Sequence, residues 1–130
     1  MIEGACLCGG ITYRTSDEPL WCAHCHCSLC RRFAGAAFVT WTGIREETAS
    51  INDDNGLLGW YSSSPGAQRG FCSQCGTSLF FRSEKWPGEL HVATATISGD
   101  ICLAPQGHVC YQDRVSWVEA ADDLPRKDAI

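Results

Sequence analysis

Phe71-Cys72-Ser73-Gln74-Cys75-Gly76-Thr77, read together with Ala5-Cys6-Leu7-Cys8-Gly9, decides what kind of fold this chain can have. A C-x-x-C step in a tight turn presents two thiols to one point, and the glycine after it permits a positive φ. In an extended segment residues i and i+2 share a face, so Cys6 and Cys8 are expected to point at the same ion. Two such pairs make a closed, tetrahedral four-thiolate zinc site of the structural kind, which ties the N-terminus to the middle of the chain. The competing readings are a redox-active C-x-x-C and plain buried thiols. A thioredoxin-type motif needs a βαβ context that this sequence lacks.

Outward from these pairs, the chain reads as one domain, 1–130, long enough to bury a core without disulfide staples. Hydrophobic residues make up 45% and charged residues 19%, which places it among globular proteins rather than disordered ones. The net charge is −5 and no Lys/Arg cluster exceeds the Arg31-Arg32 pair, so neither nucleic acid nor an anionic membrane is an expected partner. No apolar run approaches the roughly 20 residues that span a bilayer. The first residues carry no basic and apolar leader pattern, so a cytoplasmic location is expected. In a reducing compartment, ten cysteines are thiols or metal ligands rather than disulfides.

Strand-like runs recur at short spacing between Gly and Pro punctuation. They cover 10–15, 20–26, 36–41, 57–61, 77–82 and 90–97, with turns at 52–56, 62–66 and 86–88. Ser28 to Phe33 is the expected short helix, ended by Gly35, and residues 122–127 read as a solvated tail. No helical period persists for more than about three turns, so the fold is expected to be mainly β.

Cys25-His26-Cys27-Ser28-Leu29-Cys30 is a second constellation, C-x-C-x-x-C. Cys25 and Cys27 share a strand face, and the following turn can swing Cys30 to the same point. Three protein ligands leave a tetrahedral position open, the mark of a catalytic or exchangeable zinc site. Arg31 and Arg32 offset the thiolate charge. Cys22 extends the cluster, but strand parity puts it with His24 and His26 on the face opposite Cys25 and Cys27. His26 is then a hydrogen-bonding residue behind the ligands. An empty set of reduced thiols, or a disulfide formed on oxidation, is the other reading.

Cys102 and Cys110 read as small buried hydrophobes. His91 reads as a satisfied core histidine, and His108 as a loop residue better placed for a site. Arg69 is either a fork for a substrate carboxylate or a surface salt bridge. The tryptophans are mostly core, with one free to wall a pocket.

Taken together, Cys6-Leu7-Cys8-Gly9, Cys25-His26-Cys27-Ser28-x-Cys30-Arg31-Arg32-x-x-Gly35, Ser64-Pro65-Gly66-x-x-Arg69-x-Phe71-Cys72-x-x-Cys75-Gly76-Thr77 and Pro105-x-x-His108 with Trp117 resemble the glutathione-dependent formaldehyde-activating enzyme family, including centromere protein V-type domains. The resemblance spans Cys6 to Leu124. It implies a β-tent of several small antiparallel sheets around zinc sites. It also implies structural zinc on Cys6, Cys8, Cys72 and Cys75, and a labile catalytic zinc on Cys25, Cys27 and Cys30. The implied reaction joins formaldehyde to glutathione, giving S-hydroxymethylglutathione, and is classed by its reverse as a carbon–sulfur lyase. Cys22 departs from the family pattern.

Two functions are therefore expected to compete. The first is a zinc-dependent lyase whose partners are glutathione, or another small thiol, and a carbonyl compound. In it Cys25, Cys27 and Cys30 are catalytic, while Arg31, Arg32 or Arg69 hold carboxylates. The second is a non-catalytic zinc module for protein interaction or for zinc and redox sensing.

Overall fold

Short alternating segments dominate the computed structural model, which describes residues 1–129. In chain order the strands are β1 (Ile2–Ala5), β2 (Thr12–Thr15), β3 (Trp21–Cys25), β4 (Val39–Arg45), β5 (Ser50–Asn52), β6 (Leu58–Ser64), β7 (Ala67–Cys72), β8 (Ser78–Ser83), β9 (Glu89–Ala93) and β10 (His108–Val109). Helix α1 (Ser28–Ala34) lies between β3 and β4. Strands β1, β2 and β5 form one antiparallel sheet. The other seven form a second sheet in the order β10-β3-β4-β9-β8-β7-β6, antiparallel except for the parallel pairing of β10 with β3. The expectation of a mainly β fold is met. The strands at 2–5, 50–52 and 67–72 were hidden in the sequence by Ser, Asn, Gln and Gly, which carry little strand signal of their own.

The register of the large sheet sorts its side chains into two faces, because directly paired residues point the same way. One row runs Cys22, Thr42, Val92, Phe80, Gly70, Trp60 across six strands. The next row runs Trp21, Gly43, His91, Phe81, Arg69, Tyr61 and points the other way. The first face carries the main core. Phe80 and Val92 are fully buried there with Ile11, Tyr13 and Leu79, and the small sheet packs over them. Tyr13 meets Phe80 edge-on at 5.4 Å, and Trp60 stacks on Phe80 at 6.0 Å. The second face holds a smaller cluster of Cys25, Cys30, Val39, Trp41 and Ala93, flanked by Phe33 and Phe81.

Gly43 sits where Trp21 and His91 flank it in the second row. A Cβ there would lie 2.4 Å from the Trp21 indole, so only glycine lets that ring lie flat across β4. The segment 122–127 is not a free tail. The amide N–H of His108 donates to the Pro125 carbonyl and that of Lys127 to the His108 carbonyl, so this segment forms a strap along β10. Its apolar content is low, which is why hydrophobic patterning missed it; backbone pairing holds it instead.

Phe80→Ala should lower the stability of the metal-loaded protein by about 3–5 kcal/mol, the usual cost of emptying a large buried aromatic site. Denaturant unfolding followed by tryptophan fluorescence measures this; a loss below about 1 kcal/mol would show that the two sheets do not share this core.

Candidate metal centre and cavity

The first cysteine quartet comes together at one end of the core. The Cys6, Cys8, Cys72 and Cys75 sulfurs all lie within 4.8 Å of one another. Cys6 and Cys8 are 3.6 Å apart, and Cys8 and Cys72 are 3.8 Å apart. Sulfurs of a tetrahedral zinc site, with bonds of about 2.3 Å, sit roughly 3.8 Å from each other. The structure corrects one detail: Cys6 and Cys8 converge through a turn, not along a strand. The Gly9 amide donates to the Cys6 carbonyl, mirroring the Gly76 amide on the Cys72 carbonyl. Both glycines have positive φ, 77° and 80°, so two similar knuckles face each other. The Ile11 amide donates to the Cys6 sulfur and helps hold that thiol down, and the Cys75 amide donates to the Cys72 sulfur. A hydrogen bond with the Thr77 hydroxyl holds the Cys75 thiol down to about 5.

The second cluster is built where β3 runs into α1. Cys25 ends β3, Cys27 caps the helix with its sulfur on the Cys30 amide, and Cys30 follows one turn later. Gly35 closes this helix in the left-handed conformation, as its spacing predicts. The three sulfurs lie within 4.8 Å of one another. Hydrogen bonds from Cys25 and Cys30 push the Cys27 thiol far down, while the same sharing with Cys27 and Cys30 pushes Cys25 up. Three crowded thiols sharing protons are a donor set suited to a thiophilic metal.

Cys22 is not part of this group. Its side chain is fully buried on the core face of β3, beside the Thr42 and Thr94 hydroxyls at 3.7 and 3.8 Å. Strand parity predicts this placement, and the register explains it. Cys102 is exposed, against expectation. Cys110 is half-buried against the three-cysteine cluster.

Arg69 reaches the same cluster from β7. It is only 4% exposed, and its guanidinium donates to the Cys30 sulfur at 3.4 Å and to the Ser63 hydroxyl at 3.1 Å. It lies over the Phe81 ring at 4.7 Å and the Phe33 ring at 5.4 Å, which hold it in place. It is therefore no surface salt bridge; its partners are a hydroxyl and a sulfur. Arg31 is half-buried on α1 and Arg32 is exposed, and neither lines the cavity described next.

Cys25, Cys27, Cys30 and Arg69 open onto a cavity of about 450 Å³ on the second face of the large sheet. Its aromatic walls are Trp21, Trp41, Phe81 and Trp86, so three of the five tryptophans border it, while Trp60 packs on the main core. The wall also carries Glu89 and His91 from β9. One Glu89 carboxylate oxygen accepts from the Trp21 indole at 2.9 Å and bonds the His91 ring at 3.0 Å. His91, expected as a satisfied core histidine, is satisfied and buried but also faces this cavity. Lys127, on the strap, lines it too. Glu89 and Lys127 escaped sequence reading. Glu89 was legible only as the i−2 partner of His91 on one strand face, and nothing in the local pattern marked Lys127.

On the core face of β3 a third set of donors collects. His24, His108 and Asp122 each offer a ligand atom, all within 4.8 Å of one another. His108, expected in a loop, is in fact a buried strand residue.

Comparison with known proteins places these sites in context. The family model for glutathione-dependent formaldehyde-activating enzyme matches residues 1–113. A Halomonas elongata protein provisionally named for that same activity is 29% identical, with 92% of this chain and 80% of that protein covered. An uncharacterized lyase of Schizosaccharomyces pombe is also 29% identical, over 92% of this chain and 85% of its own length. The crystal structure of a Rhodobacter sphaeroides protein superposes with a TM-score of 0.64 at 20% identity, covering 95% of this chain and 98% of that one. That likeness supports the fold. Among the described residues no helix is long and apolar enough to cross a membrane.

Cys22→Ala should leave metal affinity at the three-cysteine cluster within about twofold, whereas Cys27→Ala should abolish metal binding there. Chelator competition on the two variants measures both. A large loss of affinity in Cys22→Ala would make Cys22 a ligand.

Proposed function

Because this chain belongs to the glutathione-dependent formaldehyde-activating enzyme family, we propose that it is a zinc-dependent carbon–sulfur lyase of the cytoplasm, making and cleaving the adduct of glutathione, or a similar small thiol, with formaldehyde or a related carbonyl compound. One observation carries this reading: Cys25, Cys27 and Cys30 gather as a three-thiol donor set that opens onto a cavity, with Cys110 beside Cys25 but outside that set. Cys6, Cys8, Cys72 and Cys75 would hold a structural zinc, and Cys25, Cys27 and Cys30 an exchangeable one. When bound to three thiolates, zinc supplies the Lewis acidity that keeps an incoming thiol deprotonated near neutral pH.

The chain's own residues do the rest. Arg69, fixed by Ser63, Phe33 and Phe81, offsets the negative charge that three thiolates and a substrate sulfur bring together. The aromatic walls exclude water, which strengthens that electrostatic effect. Lys127 offers a cation for a substrate carboxylate, and Glu89 an anion for the substrate's ammonium group. In the condensing direction the substrate sulfur bonds the carbonyl carbon, and the carbonyl oxygen takes up a proton from solvent. In cleavage the hydroxyl loses that proton as the carbon–sulfur bond breaks and the electron pair returns to sulfur.

The test is the rate of S-hydroxymethylglutathione formation and breakdown, followed by NMR exchange with zinc-loaded protein. Acceleration over the spontaneous reaction is expected, with Cys27→Ser inactive. Arg69→Met should lower kcat/KM roughly ten- to a hundredfold, since a hydrogen bond to a charged group contributes about 1.5–3 kcal/mol. No acceleration by protein carrying both zinc ions would favour the interaction or sensing module. Graded chelation should remove zinc from the three-cysteine site first; loss of both ions in one step would contradict the division into structural and exchangeable sites.

A further inference from the structure

We propose that His24, His108 and Asp122 form a third metal site, distinct from both cysteine clusters, that binds a divalent transition ion such as zinc or cobalt and clamps the C-terminal strap to β3. The donors, their spacing and the groups that hold each in place support this site independently of the catalytic reading.

Two imidazoles and a carboxylate are a donor set of intermediate hardness that leaves coordination positions for water. The ligand atoms lie within 4.8 Å of one another, and the His24 and His108 ring centres are 4.8 Å apart. His108 Nε2 is 3.0 Å from the Asp122 carboxylate. Donors bound side by side to one ion, with bonds of about 2.0–2.2 Å, sit roughly 3 Å apart, so an ion can enter with little rearrangement.

Each donor is also oriented from behind. His24 Nδ1 bonds the Thr40 hydroxyl at 2.7 Å, leaving Nε2 free. His108 Nδ1 bonds His26 Nε2 at 2.8 Å, leaving Nε2 on the Asp122 side. Asp122 Oδ1 accepts from the Leu124 amide at 3.0 Å and pairs with Arg126 at 3.2 Å. A partner on the other ring nitrogen is how proteins fix the tautomer and aim of a metal-binding imidazole. The Arg126 charge opposes a cation, but it sits on one carboxylate oxygen and leaves Oδ2 toward His108.

The fold gives such a clamp a purpose. Asp122 begins the strap whose Pro125 and Lys127 line the cavity, while His24 is next to Cys25 in the chain. An ion joining them would fix the cavity rim against the strand that delivers the thiols.

The probe is Co²⁺ titrated into untagged full-length protein whose cysteine sites are already filled with zinc. We expect about one further equivalent, with weak visible bands and no intense thiolate charge-transfer band. His24→Ala and Asp122→Asn should lose that equivalent while keeping their cysteine-bound zinc, which also verifies folding. Thr40→Val should keep the site but weaken it about 10- to 100-fold. Metal should raise the Tm of the parent protein and leave Asp122→Asn unmoved. Absence of the further equivalent in the parent, or its persistence in His24→Ala, overturns the proposal and leaves His108 and Asp122 as a hydrogen-bonded latch.

Discussion

Four cysteine sulfurs gathered within 4.8 Å are the constraint on which the architecture turns, because they join two segments separated by more than 60 residues. One knuckle precedes β2 and the other joins β7 to β8, so their meeting docks the small sheet onto the large one. The first sheet has only short strands, and three strands of that length do not hold a sheet alone. Packing on Phe80 and Val92 supplies the apolar side of the bargain, and the thiols, with amides aimed at them, supply the polar side. A metal at such a quartet contributes to folding directly, since the unfolded chain has no comparable site.

The large sheet separates core from chemistry by a single rule, the alternation of side chains along a strand. Cys22 and Cys25 are three apart, an odd step, so their thiols take opposite faces, one packed on Thr42 and Thr94 and the other in the three-cysteine cluster. The same alternation sends Phe80 into the core and Phe81 to the cavity wall, and divides Val92 from His91. The site is thus supported by strands that are themselves locked by the core, which keeps thiols, guanidinium and aromatic walls at fixed spacing.

Arg69 shows how the two faces cooperate. Its neighbours on β7 and β8 anchor the backbone, and two rings and a serine immobilise a side chain that would otherwise lose substantial rotamer entropy on ordering. A buried guanidinium without a carboxylate is costly, and proton-sharing thiols are what this one has. The pairing of a buried cation with a thiol cluster is a stronger indication of chemistry than either group alone.

Order along the chain was enough to read the two cysteine constellations, the short helix with its Gly35 stop, the mainly β character and the turning of Cys22 away from its cysteine neighbours. These are local matters of spacing and parity, which a chain carries in its own order. The folded chain had to be seen to know that Cys6 and Cys8 meet through a turn and that Arg69 points at sulfur rather than solvent. It alone made Glu89, Trp21 and Lys127 walls of one cavity. It also turned a polar tail into a strap bearing Asp122 beside His24, some hundred residues earlier in the chain. Those contacts are set by strand order and backbone pairing between distant segments, and no local periodicity records which strands will be neighbours.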